Sequence, residues 1–174
     1  MAFLTYGDIK RFSATVSEER ILKSAAETMS GKQVFLSYSS LDLEHLPGVI
    51  RFLEGFNASV YIDAGDGSLP KTPSPETAEK LRRAIRNCPR FMVLVSPNSH
   101  ASRWIPWELG LADGYKGAAP VALLPIAPTS MEEAWAKQEY LGLYPRVVLK
   151  DSWIVHDPRD NKWWSLSNWL LNAV

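Results

Sequence analysis

The sequence predicts an α/β domain with a mainly parallel sheet and helices on both faces. Short apolar runs of β type alternate five times with segments of helical spacing, the pattern of a strand–helix–strand chain. One run, Phe91-Met92-Val93-Leu94-Val95-Ser96, is apolar at both alternating sets of positions, so its strand is covered on both sides. The chain has 174 residues, 46% hydrophobic and 22% charged, enough for one compact domain with a real core.

Residues 1 to 31 read as a helical extension ahead of a domain spanning 32 to 174. Ile9, Phe12, Val16, Ile21, Leu22 and Ala25 form a patchy helical stripe, and Thr15 and Glu18 stand at capping-box spacing. Val34 to Ser39 is a buried strand ending in hydroxyl residues, and Ala58 to Asp63 is a second strand. Between them, Leu43, Leu46, Val49, Ile50, Leu53 and Phe56 keep mostly helical spacing. Pro47 places the firm start of that helix near position 47.

A Gly/Pro/Ser-rich loop occupies positions 64 to 74, after which Ser74-Pro75 is an N-cap followed by a first-turn proline. On the resulting helix Ala78, Leu81, Ile85 and Cys88 share one face. Lys80, Arg82, Arg83 and Arg86 take the other, read as a solvated face in preference to an anion-binding patch. After the strand at 91–96 comes Ser102-Arg103-Trp104-Ile105-Pro106-Trp107-Glu108, leading into a helix through Ala112. Residues 121–126 and 146–149 supply two more strands, 131–137 a helix between them, and 165–174 a closing amphipathic helix. Trp153, Trp163, Trp164 and Trp169 are expected to pack that last helix on the sheet.

Net charge is +0, so no global field draws the chain to nucleic acid or an anionic membrane. No apolar run approaches the ~20 residues needed to span a bilayer. One cysteine excludes an internal disulfide and any cysteine-cluster metal site, and the three histidines show no ligand-type spacing. The N-terminus lacks the pattern of a signal peptide, and the expected location is the cytoplasm.

In doubly wound sheets ligands bind at the carboxyl ends of the strands. Ser37-Tyr38-Ser39, Asp63 and the approach to Glu108 all stand there. Pro106 disfavours helical geometry at the residue before it, so the helix is expected to begin about there, with Glu108 in its first turn and Trp104 just outside. A first-turn carboxylate is favoured in its ionised form by the helix dipole.

From Lys32 onward the chain resembles a TIR (Toll/interleukin-1 receptor) domain, and so a flavodoxin-like fold. Val34 to Ser39 is similar to that family's first strand and Val60-Tyr61-Ile62-Asp63 to its second. The Gly/Pro-rich segment stands in place of the loop that follows. Val93 to Ser96 with Ser102, Trp104 and Glu108 resembles the third strand and the Trp-x-x-x-Glu segment of the enzymatic members.

The resemblance implies cleavage of the nicotinamide–ribose bond of NAD, with NAD as substrate and no further cofactor or metal, and with Glu108 as the essential residue. Nicotinamide in NAD is a pyridinium and departs as a neutral base. One carboxylate therefore suffices, unlike ordinary glycoside hydrolysis. Trp104 stacks on the cationic ring or shields the site from water. Tyr38, Ser39 and Ser102 are candidate contacts to nicotinamide, ribose or phosphate. Asp63 has two readings, as a substrate contact or as an anchor for the loop. Ser37 reads as a strand terminator.

The resemblance extends to stand-alone TIR proteins of bacterial antiphage defence, such as those of Thoeris systems, whose nucleotide product activates a separate effector. It implies self-association through the 64–75 loop. Two other readings stand beside it. One is a non-enzymatic TIR adaptor. The other is a receiver domain, which calls for acidic residues where this chain has Ser37-Tyr38-Ser39-Ser40.

Overall fold

A computed structural model of the chain describes residues 1–13, 17–27, 31–63, 74–129 and 142–171. Its strands are β1 (Leu4–Thr5), β2 (Val34–Ser37), β3 (Val60–Tyr61), β4 (Arg90–Val95), β5 (Val121–Ala127), β6 (Arg146–Leu149), β7 (Trp153–Asp157) and β8 (Lys162–Ser165). Its helices are α1 (Tyr6–Ser13), α2 (Glu18–Glu27), α3 (Leu46–Glu54), α4 (Pro75–Asn87), α5 (Ile105–Lys116) and α6 (Leu166–Leu171). Short 3₁₀ turns cover Ser40–His45 and Ser99–Ala101. Thr15, the helix expected over 131–137 and most of the 64–75 loop lie outside the described residues.

The sheet order is β3-β2-β4-β5-β6-β7-β8, parallel from β3 through β6 and antiparallel beyond. The five parallel strands are those predicted. Strand β4 sits between β2 and β5, with Ser37 paired to Val93 and Val93 to Leu123.

Period-2 alternation divides the core. Val34 and Leu36 of β2 and Met92 and Leu94 of β4 face the layer of α1, α2, α3 and α6. Phe35, Phe91, Val93 and Val95 face α4 and α5, with Leu81, Ile85, Ile105 and Leu109 opposite them. Phe35 stacks on Phe91 with ring centroids 5.4 Å apart and an interplanar angle of 13°. Each such side chain contributes roughly 1.5–3 kcal/mol by leaving water. Cys88 lies in this second layer, where burial pushes its thiol up to about 11 and leaves it unreactive at neutral pH.

The capped helices begin as their sequences dictate. Ser74 Oγ accepts from the Thr77 amide at 3.1 Å, with Pro75 in the first turn of α4. Helix α3 starts at Leu46, one residue before Pro47, which its first turn accepts.

Three strands add to the predicted five. The antiparallel β7–β8 hairpin takes Trp153, Trp163 and Trp164 onto strands, leaving Trp169 as the tryptophan of α6. Trp169 is fully buried, whereas Trp163 is exposed and stacks on His156. Trp153 meets Phe52 of α3 edge-on, ring centroids 5.0 Å apart.

The third addition, β1, lies in the segment read as a helical extension. Strand β6 pairs with β5 at Leu123↔Arg146, while β1 pairs parallel with β5 at Leu4↔Ile126 and Thr5↔Ala127. Ala2 bridges to Leu149 on β6. Leu4 is fully buried, and α1 then crosses α3 so closely that a Cβ on Gly48 would stand 2.1 Å from the Ile9 carbonyl oxygen.

Candidate active site

Three chain segments meet at the carboxyl end of the sheet. Ser37 ends β2, Asp63 follows β3, and Glu108 lies in the first turn of α5 after β4. Helix α5 begins at Ile105 with Trp104 in its N-cap position and Pro106 in its first turn. Trp104 is thus half a step outside the helix. The Glu108 amide closes an early helical hydrogen bond to the Trp104 carbonyl at 2.9 Å.

Glu108 is 7% exposed, a carboxylate turned into the sheet end, not out to solvent. Ser37 Oγ donates to Glu108 Oε2, joining the tip of β2 to the start of α5. Burial pushes the Glu108 carboxyl up from 4.5 to about 7. The Ser37 hydrogen bond opposes that shift, and the negative charge of Asp63 adds to it. This corrects the expectation that the helix dipole keeps Glu108 ionised. A surface first-turn acid gains roughly 0.3–1 kcal/mol from the dipole, which is less than the loss of water around a buried charge. Near neutral pH the group therefore exchanges between protonated and ionised forms, the property a proton-handling carboxylate needs.

Asp63 is nine-tenths buried at its side chain, and Lys80 Nζ of α4 lies 3.1 Å from its Oδ1. That contact is an ion pair without hydrogen-bond alignment, so Oδ1 remains a buried acceptor with no hydrogen-bond partner among the described residues. Lys80 thus stays on the solvated face its spacing assigned it, its side chain exposed, while its ammonium reaches Asp63 at the edge of the site. The Tyr38 hydroxyl donates to the Asp63 backbone carbonyl at 3.4 Å, drawing the exits of β2 and β3 together.

The remaining sequence candidates have local partners. Ser39 caps the 3₁₀ turn, its Oγ accepting from the Leu41 amide at 3.4 Å. Ser102 Oγ accepts from the Ile105 amide at 3.3 Å and so caps the entry to α5. Trp104 is half-buried and meets Trp107 edge-on, ring centroids 5.4 Å apart, and the Arg82 guanidinium lies 5.5 Å over the Trp107 ring. Ser37, Tyr38, Asp63 and Glu108 are therefore linked by contact or charge, while Ser39, Ser102 and Trp104 frame them. Ser37 and Lys80 were missed as site residues. Ser37 had a legible signal, a hydroxyl at a strand end, whereas Lys80 differs from its basic neighbours only in the tertiary structure. Among the described residues no cluster of three or more His, Cys, Asp and Glu can hold a metal ion.

A doubly wound sheet with one buried, proton-exchanging carboxylate at its carboxyl end is the plan of a ligand-binding α/β domain. The TIR domain family model matches residues 34–156, and this chain belongs to the TIR domain family. The chain is also 38% identical over 142 residues to a Bacillus cereus (strain MSX-D12) protein named as a probable 3′ cyclic ADP-D-ribose synthase, ThsB′. That alignment covers 79% of this chain and 72% of the relative. Strand β1 and helices α1 and α2 precede the residues matched by the family model.

Proposed function

We propose that this chain cleaves the nicotinamide–ribose bond of NAD and releases a cyclic ADP-ribose isomer, with ADP-ribose as the product when water intercepts the sugar. The observation that carries this reading is Glu108, buried and held by Ser37 at the strand ends of a TIR fold. The name of the Bacillus relative supports the cyclic product.

The bond from the ribose anomeric carbon to the pyridinium nitrogen breaks with its electron pair going to nitrogen, so nicotinamide leaves neutral and needs no acid. Positive charge then develops on the sugar. Ionised Glu108 stabilises that charge and orients the ribose hydroxyls. In cyclisation an internal nucleophile of the ADP-ribose moiety forms the new bond to the anomeric carbon. Where that nucleophile is a hydroxyl, it gives up a proton that Glu108 is poised to accept. In hydrolysis water takes the same place and loses the same proton. Asp63 Oδ1, which has no hydrogen-bond partner among the described residues, is an acceptor for a substrate hydroxyl, and Lys80, its ion-pair partner, supplies positive charge beside it. Trp104 supplies an aromatic wall, Tyr38 a phenol, and Ser39 and Ser102 set the loops that carry these groups.

Self-association through the 64–75 loop, a downstream effector that reads the nucleotide, action in antiphage defence and a cytoplasmic location belong to the same proposal. Among the described residues no helix is long and apolar enough to cross a membrane.

The test is incubation of concentrated full-length chain with NAD, following nicotinamide release and weighing the nucleotide products by mass spectrometry. Release with a product lighter than ADP-ribose by one water is expected, and Glu108→Gln is expected to abolish it. Release that persists unchanged in Glu108→Gln would remove Glu108 from the chemistry. Absence of release under all assembling conditions would favour the adaptor.

A further inference from the structure

A third buried carboxyl group, besides Glu108 and Asp63, lies beside the site and has no part in the proposed chemistry. Asp42 sits in the 3₁₀ turn after β2 and is fully buried. An acid at the start of a helical turn ordinarily faces its own amides and solvent. Asp42 instead reaches across to the loop leaving β4. Its Oδ2 accepts from Ser96 Oγ at 2.7 Å, and its Oδ1 accepts from Asn98 Nδ2 at 2.7 Å.

The loop is folded around that carboxylate. Ser96 Oγ accepts from the Asn98 amide at 2.9 Å, Ser99 Oγ accepts from the Ser96 amide at 2.8 Å, and Ser99 Oγ donates to the Leu94 carbonyl at 3.2 Å. Ser96 and Ser99 are themselves buried.

Among the described residues these hydrogen-bond partners are neutral donors, and holding a carboxyl group out of water in this way is costly unless each oxygen is bonded. What the network joins is specific. The β2 exit carries Ser37 and the β4 exit leads to Glu108, the two groups whose hydrogen bond defines the site. We propose that Asp42 is a positioning residue for the reaction, a buried clamp that fixes the spacing between the β2 and β4 exits and thereby the Ser37–Glu108 contact. This inference rests on the reading of Glu108 as the reacting carboxylate. It concerns geometry, however, and can be read without turnover.

The experiment compares wild type, Asp42→Ala, Asp42→Asn and Val155→Ala, a core truncation on β7 outside this network. Two readouts are taken on the full chain. One is the ¹³C titration of the Glu108 carboxyl, assigned against Glu108→Gln. The other is kcat and KM for nicotinamide release.

In Asp42→Ala the exits part: the loss of the Ser37 hydrogen bond pushes Glu108 up, but water reaching the carboxyl removes the larger influence, burial, so its titration midpoint falls on balance toward the ordinary range. The kcat drops on the order of 100-fold, as a displacement of about 1 Å produces, with KM changed far less. Asp42→Asn restores both readouts to within a few-fold of wild type. Its oxygen still accepts from Asn98, and its amide can donate to the Ser96 hydroxyl. Val155→Ala lowers thermal stability without moving the midpoint.

If Asp42→Ala does not fold, Ser96→Ala, which removes one of the two donors, shows a smaller shift in the same direction. A wild-type midpoint and kcat in Asp42→Ala, or an equal shift in Val155→Ala, overturns the clamp while leaving NAD cleavage intact. A midpoint shift in a wild-type background that releases no nicotinamide sustains the clamp and removes the proposed activity.

Discussion

Replacing Glu108 by Gln makes the chain more stable at alkaline pH and leaves it nearly unchanged in acid. The folded carboxyl titrates at about 7 and its ordinary value is 4.5, a difference of 7 − 4.5 = 2.5 in pKa. At 1.36 kcal/mol per unit this corresponds to about 3 kcal/mol, an upper bound set by how fully Glu108 stays buried. The sign follows from proton binding. Between pH 4.5 and 7 the folded chain holds the Glu108 proton and the unfolded chain has lost it. Stability therefore declines as pH rises through that window and levels off above it. Gln carries no proton to lose. Urea unfolding of both proteins at pH 4.5, 6 and 8 is expected to show the variant's advantage growing across the window to about 1–3 kcal/mol, reduced by whatever the Ser37 hydrogen bond loses. An advantage that is the same at all three pH values would refute the assignment of burial as the dominant influence on Glu108.

Ser37→Ala removes the hydrogen bond that favours ionised Glu108, so the carboxyl titrates still higher and the acidic limb of the pH–rate profile for nicotinamide release moves up in pH. A limb that stays in place or moves down would show that Ser37 does not act through Glu108. Gly48→Ala drives a methyl into the Ile9 backbone carbonyl, where no side chain can swing aside. It is expected to cost about 1–3 kcal/mol in denaturant unfolding, and a loss below 0.5 kcal/mol would mean that α1 does not hold its place against α3.

The parallel half of the sheet was legible because burial on both faces leaves a strong imprint. Phe91 to Val95 has no polar position to misread, and Ser74-Pro75 and Pro106 announce their helices through chemistry local to the chain. Strand β8 was not legible because Trp163-Trp164 carries no alternation, although Asp157-Pro158-Arg159-Asp160-Asn161 ahead of it is turn chemistry that marks a hairpin, with Asn161 at φ 55°. Strand β1 is too short to show any period, and its partner lies far along the chain. At the site, Glu108 and its place in the first turn were readable. Its protonation behaviour was not, because the dipole is a local property of the helix while burial is contributed by elements remote in sequence. Asp42 met the same limit. Nothing local marks it, and only the fold brings Ser96 and Asn98 to its oxygens.

The short strand β1 also bears on how the chain assembles. Leu4 is synthesised well before Ile126, the residue it pairs with, and until β5 is in place its slot does not exist. Loop-closure entropy makes so distant a pairing slow. Without β1, the end of β5 past its pairing with β6 would present an unpaired edge of buried residues, Ile126 among them, a template for a strand from another molecule. The N-terminal segment is therefore a cap on a backbone edge: it occupies the stretch of β5 beyond its pairing with β6, where a foreign strand would otherwise find free amides and carbonyls.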